Sequence, residues 1–330
     1  QRQRLAIARA LLLDPAILYV NHASIGTIPR SVVDAHVAAL RLCETNPWLF
    51  MWGGAWEEPR ELVRASLARL LGAPPESVAI THNTTEGFNL LASGLGLGPG
   101  DEVLFSELNH DGASICWDHE ARRKGFTVRR MAFPVEEAAG MSPGEVARVH
   151  LEAIRPETRV LVFPHVDNRI GVRHPLRSIS EGAHARGVEV VAVDGAQSAG
   201  MIPLDLEASG VDAFAGSPHK WIQSPKGLGV LYLRESLRAR LDPFWVTWGQ
   251  ARWSGSARRY EDYGTRNLAA VVALGDALDV QEGLGAATKL DRYRTVHARL
   301  RDAVDATPGL AWRSPRAFEA GASLMAVEVE

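Results

Sequence analysis

From about residue 60 to 235, short apolar runs alternate with stretches whose apolar residues recur three and four apart. ELVRASLARLLG (61–72) keeps that spacing and ends in glycine, which predicts a helix; SVAIT (77–81) predicts a strand and TEGFNLLASGLG (85–96) a second helix. DEVLF, RVLVFPHV, VEVVAVD, DAFAG and GVLYL read as further buried strands with helices between them. This rhythm predicts an α/β fold, a mostly parallel central sheet flanked by helices, in which ligands bind beyond the carboxyl ends of the strands. Past about residue 265 the pattern changes. NLAAVVALGDALDVQEGLG and ATKLDRYRTVHARLRDAVDA read as two long amphipathic helices, and ASLMAVEVE (322–330) alternates like a strand with no later segment to pair with. A large domain over 12–255 and a partial, smaller α+β domain over 256–330 are expected, preceded by a helical arm over 1–11.

Composition narrows the functional classes. The chain has 330 residues, 46% of them hydrophobic, enough to bury a substantial core. Its formal net charge is −3, with scattered arginines and no single-sign block, which argues against nucleic-acid or membrane-surface binding. No apolar run reaches the roughly 18 residues that span a bilayer, and no signal-peptide pattern opens the chain, so a cytoplasmic protein is expected. Cys43 and Cys116 lie far apart without a CxxC pair, as free thiols in a reducing compartment would. His119, His165 and His174 have no spacing that suggests a metal site with a third ligand.

Lysine is scarce, and this directs attention to one position. Lys124 in ARRKG and Lys289 in a polar helical stretch read as solvated surface; Lys226 opens the loop before GVLYL; Lys220 follows Ser217-Pro218-His219 in AFAGSPHKW. Asp194 ends the apolar run VEVVAVD, and Lys220 follows it by 26 residues. A lysine and an aspartate in this relation suggest pyridoxal 5'-phosphate, the lysine holding it as a Schiff base and the aspartate keeping the pyridine nitrogen protonated. A carboxylate at the end of a buried strand needs a partner, and a pyridinium N–H is one; capping the turn at Gly195 is the other. Gln197 can hydrogen-bond the phenolic oxygen of such a ring. HNTTEGFN (82–89) opens a helix directly after a strand. The hydroxyls of Thr84 and Thr85 and the first-turn N–H groups there form either an anion site or an ordinary cap made by one of the threonines. Ser217 and His219 would complete a phosphate cup. His110, in a loop after DEVLF, is suited to stacking on a flat ring and to acid or base work near a substrate α-carbon.

Together these residues resemble the class V aminotransferase family of fold-type I pyridoxal-phosphate enzymes, which includes isopenicillin N epimerase-like proteins, cysteine desulfurases and selenocysteine lyases. LLLDPAILYVNHASIGTIPRSV resembles the family's opening segment, NTTEGFN its phosphate-binding turn, HVDNRIG its HVSN-type loop, VDGAQSAG with SPHKW its cofactor-lysine core, and YGTRN its GT-containing segment. The resemblance implies Lys220 as the Schiff-base lysine, Asp194 as pyridine partner, Gln197 and Asn168 near the phenolic oxygen and His110 as the stacking ring. It implies Thr84, Thr85, Ser217 and His219 on the phosphate, with Thr265 reaching the phosphate of a neighbouring subunit in a homodimer. Asn21 in the opening segment and Arg266 in the GTR form would bind an amino-acid substrate, Arg266 through its carboxylate. The GTR form is nearer the epimerase-like members than the desulfurases. The implied reaction is epimerisation at an α-carbon, with Lys220 as general base. C–S lyase or aminotransferase chemistry and a catalytically inactive partner protein of the same fold are the alternatives. Residues 1–11 resemble a fragment of an ABC-transporter ATPase, without a P-loop. The resemblance also implies further chain beyond residue 330, bearing a carboxylate-binding arginine and, in desulfurases, a reactive cysteine; neither Cys43 nor Cys116 falls at that place.

Overall fold

A computed structural model describes residues 21–51, 54–247 and 249–329. The arm over 1–11 and the start of the opening segment lie outside them. Helix α1 (Arg30–Thr45) and helix α2 (Glu57–Leu71) precede strand β1 (Val78–Thr81) and helix α3 (Thr84–Gly94). Strand β2 (Glu102–Ser106), helix α4 (Ile115–Lys124), strand β3 (Thr127–Met131), helix α5 (Pro143–Glu152), strand β4 (Thr158–Pro164), helix α6 (Leu176–His184) and strand β5 (Val190–Asp194) follow. Strands β6 (Ala213–Gly216) and β7 (Gly229–Leu233) complete the sheet. Its order is β1-β7-β6-β5-β4-β2-β3, with β7 antiparallel to both neighbours and the other paired strands parallel.

The strands are apolar throughout because helices cover both faces. Along β5, Val191 and Val193 pack with Leu67 of α2, Ile179 of α6 and Leu274 further on, whereas Val190 and Ala192 turn to Leu91 of α3 and Trp117 of α4. Successive side chains alternate between two cores, as the pleat requires. Strand β3 escapes a hydrophobic reading because it is an edge. Its Arg129 forms a two-point pair with Glu102 at 2.7 and 2.8 Å, and Arg130 pairs with Asp118. Polar, charged edges block strand addition.

Helix α7 (Leu268–Leu284) and helix α8 (Ala286–Asp305) lead to a small antiparallel pair, β8 (Leu310–Trp312) with β9 (Val327–Val329). The last strand pairs back onto β8, which its own short sequence LAW did not announce. Ala257 and Tyr260 are buried in one of the two cores beside the sheet, and Ala270, Val271, Ala273 and Leu274 in the other. Helix α7 is apolar on most sides because it packs against both α1 and α2. Among the described residues no helix is long and apolar enough to cross a membrane.

Candidate active site

The carboxyl ends of β1, β2, β4, β5 and β6 lie on one edge of the sheet, and the polar clusters lie just beyond them. After β1 the chain reaches Asn83, whose side chain accepts from the Glu86 N–H at 2.9 Å and caps α3. The cap is therefore neither threonine, and both hydroxyls are released for other work. Ser217 Oγ accepts from the Thr84 N–H at 3.1 Å and lies 2.8 Å from Thr84 Oγ1, so the segment after β6 is bound to the start of α3. Thr85 Oγ1 faces the loop after β2, where a Cβ on Gly112 would come within 2.5 Å of it. His110 Nδ1 accepts from the Gly112 N–H at 3.0 Å, which leaves Nε2 as the protonated nitrogen of the neutral ring.

Lys220, Asp194 and His110 share one electrostatic neighbourhood. Burial lowers the Lys220 ammonium from its ordinary value, with Asp194 opposing the shift. Burial raises the Asp194 carboxyl, against the Ala196 N–H it accepts at 2.9 Å and the positive charge of the nearby Lys220. Burial works against the charged form of each, and a ring carrying an aldehyde and a basic nitrogen would bring a partner to each. The segment just before Lys220 also carries an unmatched polar atom. His219 Nδ1 is buried with no hydrogen-bond partner among the described residues. Around this centre the backbone runs very close: a Cβ on Gly26 would lie 2.1 Å from the Lys220 carbonyl, so only glycine fits. Gln223, three residues after Lys220, is the non-glycine residue with positive φ among those described, at 64°. A strained residue beside a proposed nucleophile is where such strain is commonly stored.

Gln197 is held from two sides. Its Oε1 accepts from Trp221 Nε1 at 2.8 Å and its Nε2 donates to Ala23 O at 3.0 Å, which fixes the amide orientation and leaves one N–H. Trp221 and the Ala23 carbonyl were not singled out from sequence; adjacency to Lys220 was the available signal for the first. Asn168 is exposed on a loop shaped by Asp167, a buried carboxylate that accepts from the N–H groups of Arg169, Ile170 and Val172. The other lysines are placed elsewhere. Lys226 donates to Gly26 O at 2.9 Å, and Lys124, expected on the surface, is half-buried and donates to the Ala92, Ser93 and Leu95 carbonyls at the end of α3. Lys289 is likewise partly buried, bonded to Gly200 O and to Gln281 Oε1.

Arg266, Thr265 and Asn21 complete the expected site residues. Arg266 donates to Glu261 Oε1 and to Ile80 O, both at 2.8 Å. Its guanidinium is committed to the buried Glu261, which also accepts from Arg64 at 2.7 and 2.8 Å and from the Ile80 N–H. That geometry answers the carboxylate of Glu261. Thr265 is exposed and lines a separate cleft of about 210 Å³ with Arg60 and Arg258. Asn21 is exposed in a turn, its side chain bonded to Ser24.

The family description Aminotransferase class-V matches residues 18–330. An isopenicillin N epimerase from Amycolatopsis lactamdurans is 36% identical over 90% of this chain and 77% of its own length. A second, from Streptomyces clavuligerus, is 32% identical over 96% and 82%. A cysteine desulfurase from Klebsiella pneumoniae subsp. pneumoniae is 32% identical over 91% and 75%. Among solved structures, a complex of the cystine C-S lyase C-DES with its product cysteine persulfide superposes with a TM-score of 0.83 at 25% identity, covering 94% of this chain and 84% of that one.

Proposed function

The chain belongs to the class V aminotransferase family, and from that premise we propose that it catalyses epimerisation at the α-carbon of an amino acid. It is an enzyme that depends on pyridoxal 5'-phosphate. The observation that carries the site assignment is the convergence of Lys220, Asp194 and His110 beyond neighbouring strand ends, with the lysine and the carboxylate each pushed toward neutrality by burial. When bound, the cofactor supplies an electron sink next to the substrate α-carbon. The Thr84–Ser217 pair, Thr85 and His219 hold its phosphate, and Asp194 holds a proton on its ring nitrogen. Gln197 offers its remaining N–H to the phenolic oxygen, and Asn168 lies on the adjoining loop. His110, its Nδ1 fixed by Gly112, presents Nε2 and a flat face. The Lys220 amine takes the substrate α-proton on Nζ, and burial, by lowering its pKa, reduces the cost of holding it deprotonated.

Epimerisation is favoured over C–S cleavage by the identity to the two epimerases. Cys43 and Cys116 are both buried free thiols, and burial pushes the Cys116 thiol up to about 12. Two buried free thiols are also in keeping with a cytoplasmic protein.

A homodimer with shared sites completes this reading. Val33, Val37 and Leu40 form an exposed apolar stripe on α1, continued by Trp48 and Leu49, and a second copy of the chain is the occupant that also brings Thr265 to a neighbouring phosphate.

The test is optical and chemical. Protein supplied with pyridoxal phosphate should gain a visible absorption band that Lys220→Ala abolishes. With a panel of L-amino acids in deuterated water, one should lose chirality while gaining α-deuterium. A protein that stays colourless defeats the enzyme assignment; release of sulfide or a keto acid without chirality loss defeats epimerisation.

A further inference from the structure

We propose that the cleft between α2, the loop at 200–204 and the α7–α8 junction binds a small monocarboxylate with an apolar body, its carboxylate held by the ammonium of Lys289. The cleft measures about 420 Å³, and Leu70, Ile202, Leu204 and Leu278 are among its lining. That size is within the range of small-molecule pockets, about 300–1,000 Å³. Lys289 is its polar end. Nζ donates to two neutral acceptors, Gly200 O and Gln281 Oε1, and among the described residues no carboxylate lies within ion-pair distance of it. Burial, with no opposite charge to offset it, lowers this ammonium to about 8.

An ammonium drawn out of water without a counter-charge is costly, and the adjoining cleft has room for one. Other charges on the lining come from Arg69 of α2 and Glu282 of α7, both largely exposed and 3.9 Å apart. Lys289, Arg69 and Glu282 together carry one net positive charge, which a monoanion balances and a dianion overshoots. The leucine and isoleucine walls select an alkyl or aryl body behind the carboxylate. This site is separate from Lys220 and does not depend on the cofactor reading.

Calorimetric titration with hexanoate tests it. One molecule per chain should bind. Lys220→Ala should leave the affinity unchanged, which separates this cleft from the active site. Lys289→Met should weaken binding at least about tenfold, the weight of one charge-assisted hydrogen bond. Lys289→Arg should restore most of it, and hexylamine, with the same body and opposite charge, should not bind. If the methionine variant does not fold, Lys289→Gln keeps a donor for Gly200 and should lose affinity by the same margin. Absence of saturable hexanoate binding in the millimolar range, or binding indifferent to the charge at position 289, overturns the proposal.

Discussion

Glu261 shows how one buried carboxylate organises charges that look independent along the chain. It receives two hydrogen bonds from Arg64, one from Arg266 and one from the Ile80 N–H. Burial alone would raise its pKa, yet Arg64 and Arg266 bring it down to about 2 from 4.5. The folded value is depressed, so the stability it contributes is fully present above pH 4.5 and is lost as pH falls toward 2. Glu261→Gln should cost about 3–5 kcal/mol at neutral pH, because the buried Arg64 keeps only the partly exposed Glu61 as counter-charge. Urea midpoints of variant and wild type should converge on acidification; a gap that stays constant to pH 2 would refute this account. The same residue explains what sequence could and could not reveal. Lys220 and Asp194 stand out in the sequence because few lysines compete and the aspartate ends a buried strand. The pairing of Arg266 with Glu261 does not, since a GTR segment reads alike whether its guanidinium meets a ligand or an interior glutamate.

At the scale of elements, strands were read nearly to the residue because burial on both faces makes them continuous apolar runs. What failed was polar or short: edge strand β3, the three-residue β8, and the cap of α3. Asn83, Thr84 and Thr85 are all competent caps, and only the fold decides which side chain turns back. Because Asn83 does, Asn83→Ala should cost about 1 kcal/mol of stability. It should also weaken cofactor binding several-fold, since Thr84 and Thr85 begin the turn it fixes. Denaturant midpoint and fluorescence titration with pyridoxal phosphate measure the two effects. A stability loss with unchanged cofactor affinity would show that the threonines are held independently.

For the whole molecule, the stripe of Val33, Val37 and Leu40 sets the question of assembly. Val37→Glu places a charge in its middle and should shift the protein from dimer to monomer in light scattering at micromolar concentration, with the monomer retaining its helical circular dichroism. A variant that remains dimeric would place the contact elsewhere. Sequence could mark these residues only as one face of an amphipathic helix, since the opposite face, with Val32, Ala39 and Cys43, is the buried one. The close approach of Gly26 to the Lys220 carbonyl has a temporal counterpart. The Gly26 N–H binds the His219 carbonyl at 3.0 Å, and Gln197 binds Ala23, so the lysine loop is braced by residues almost two hundred positions earlier. Loops of that length close late and slowly during folding. The backbone around Lys220 is therefore set only once the segment at 23–26 has met the segment at 197–220, however early the strands that carry the other polar residues have paired.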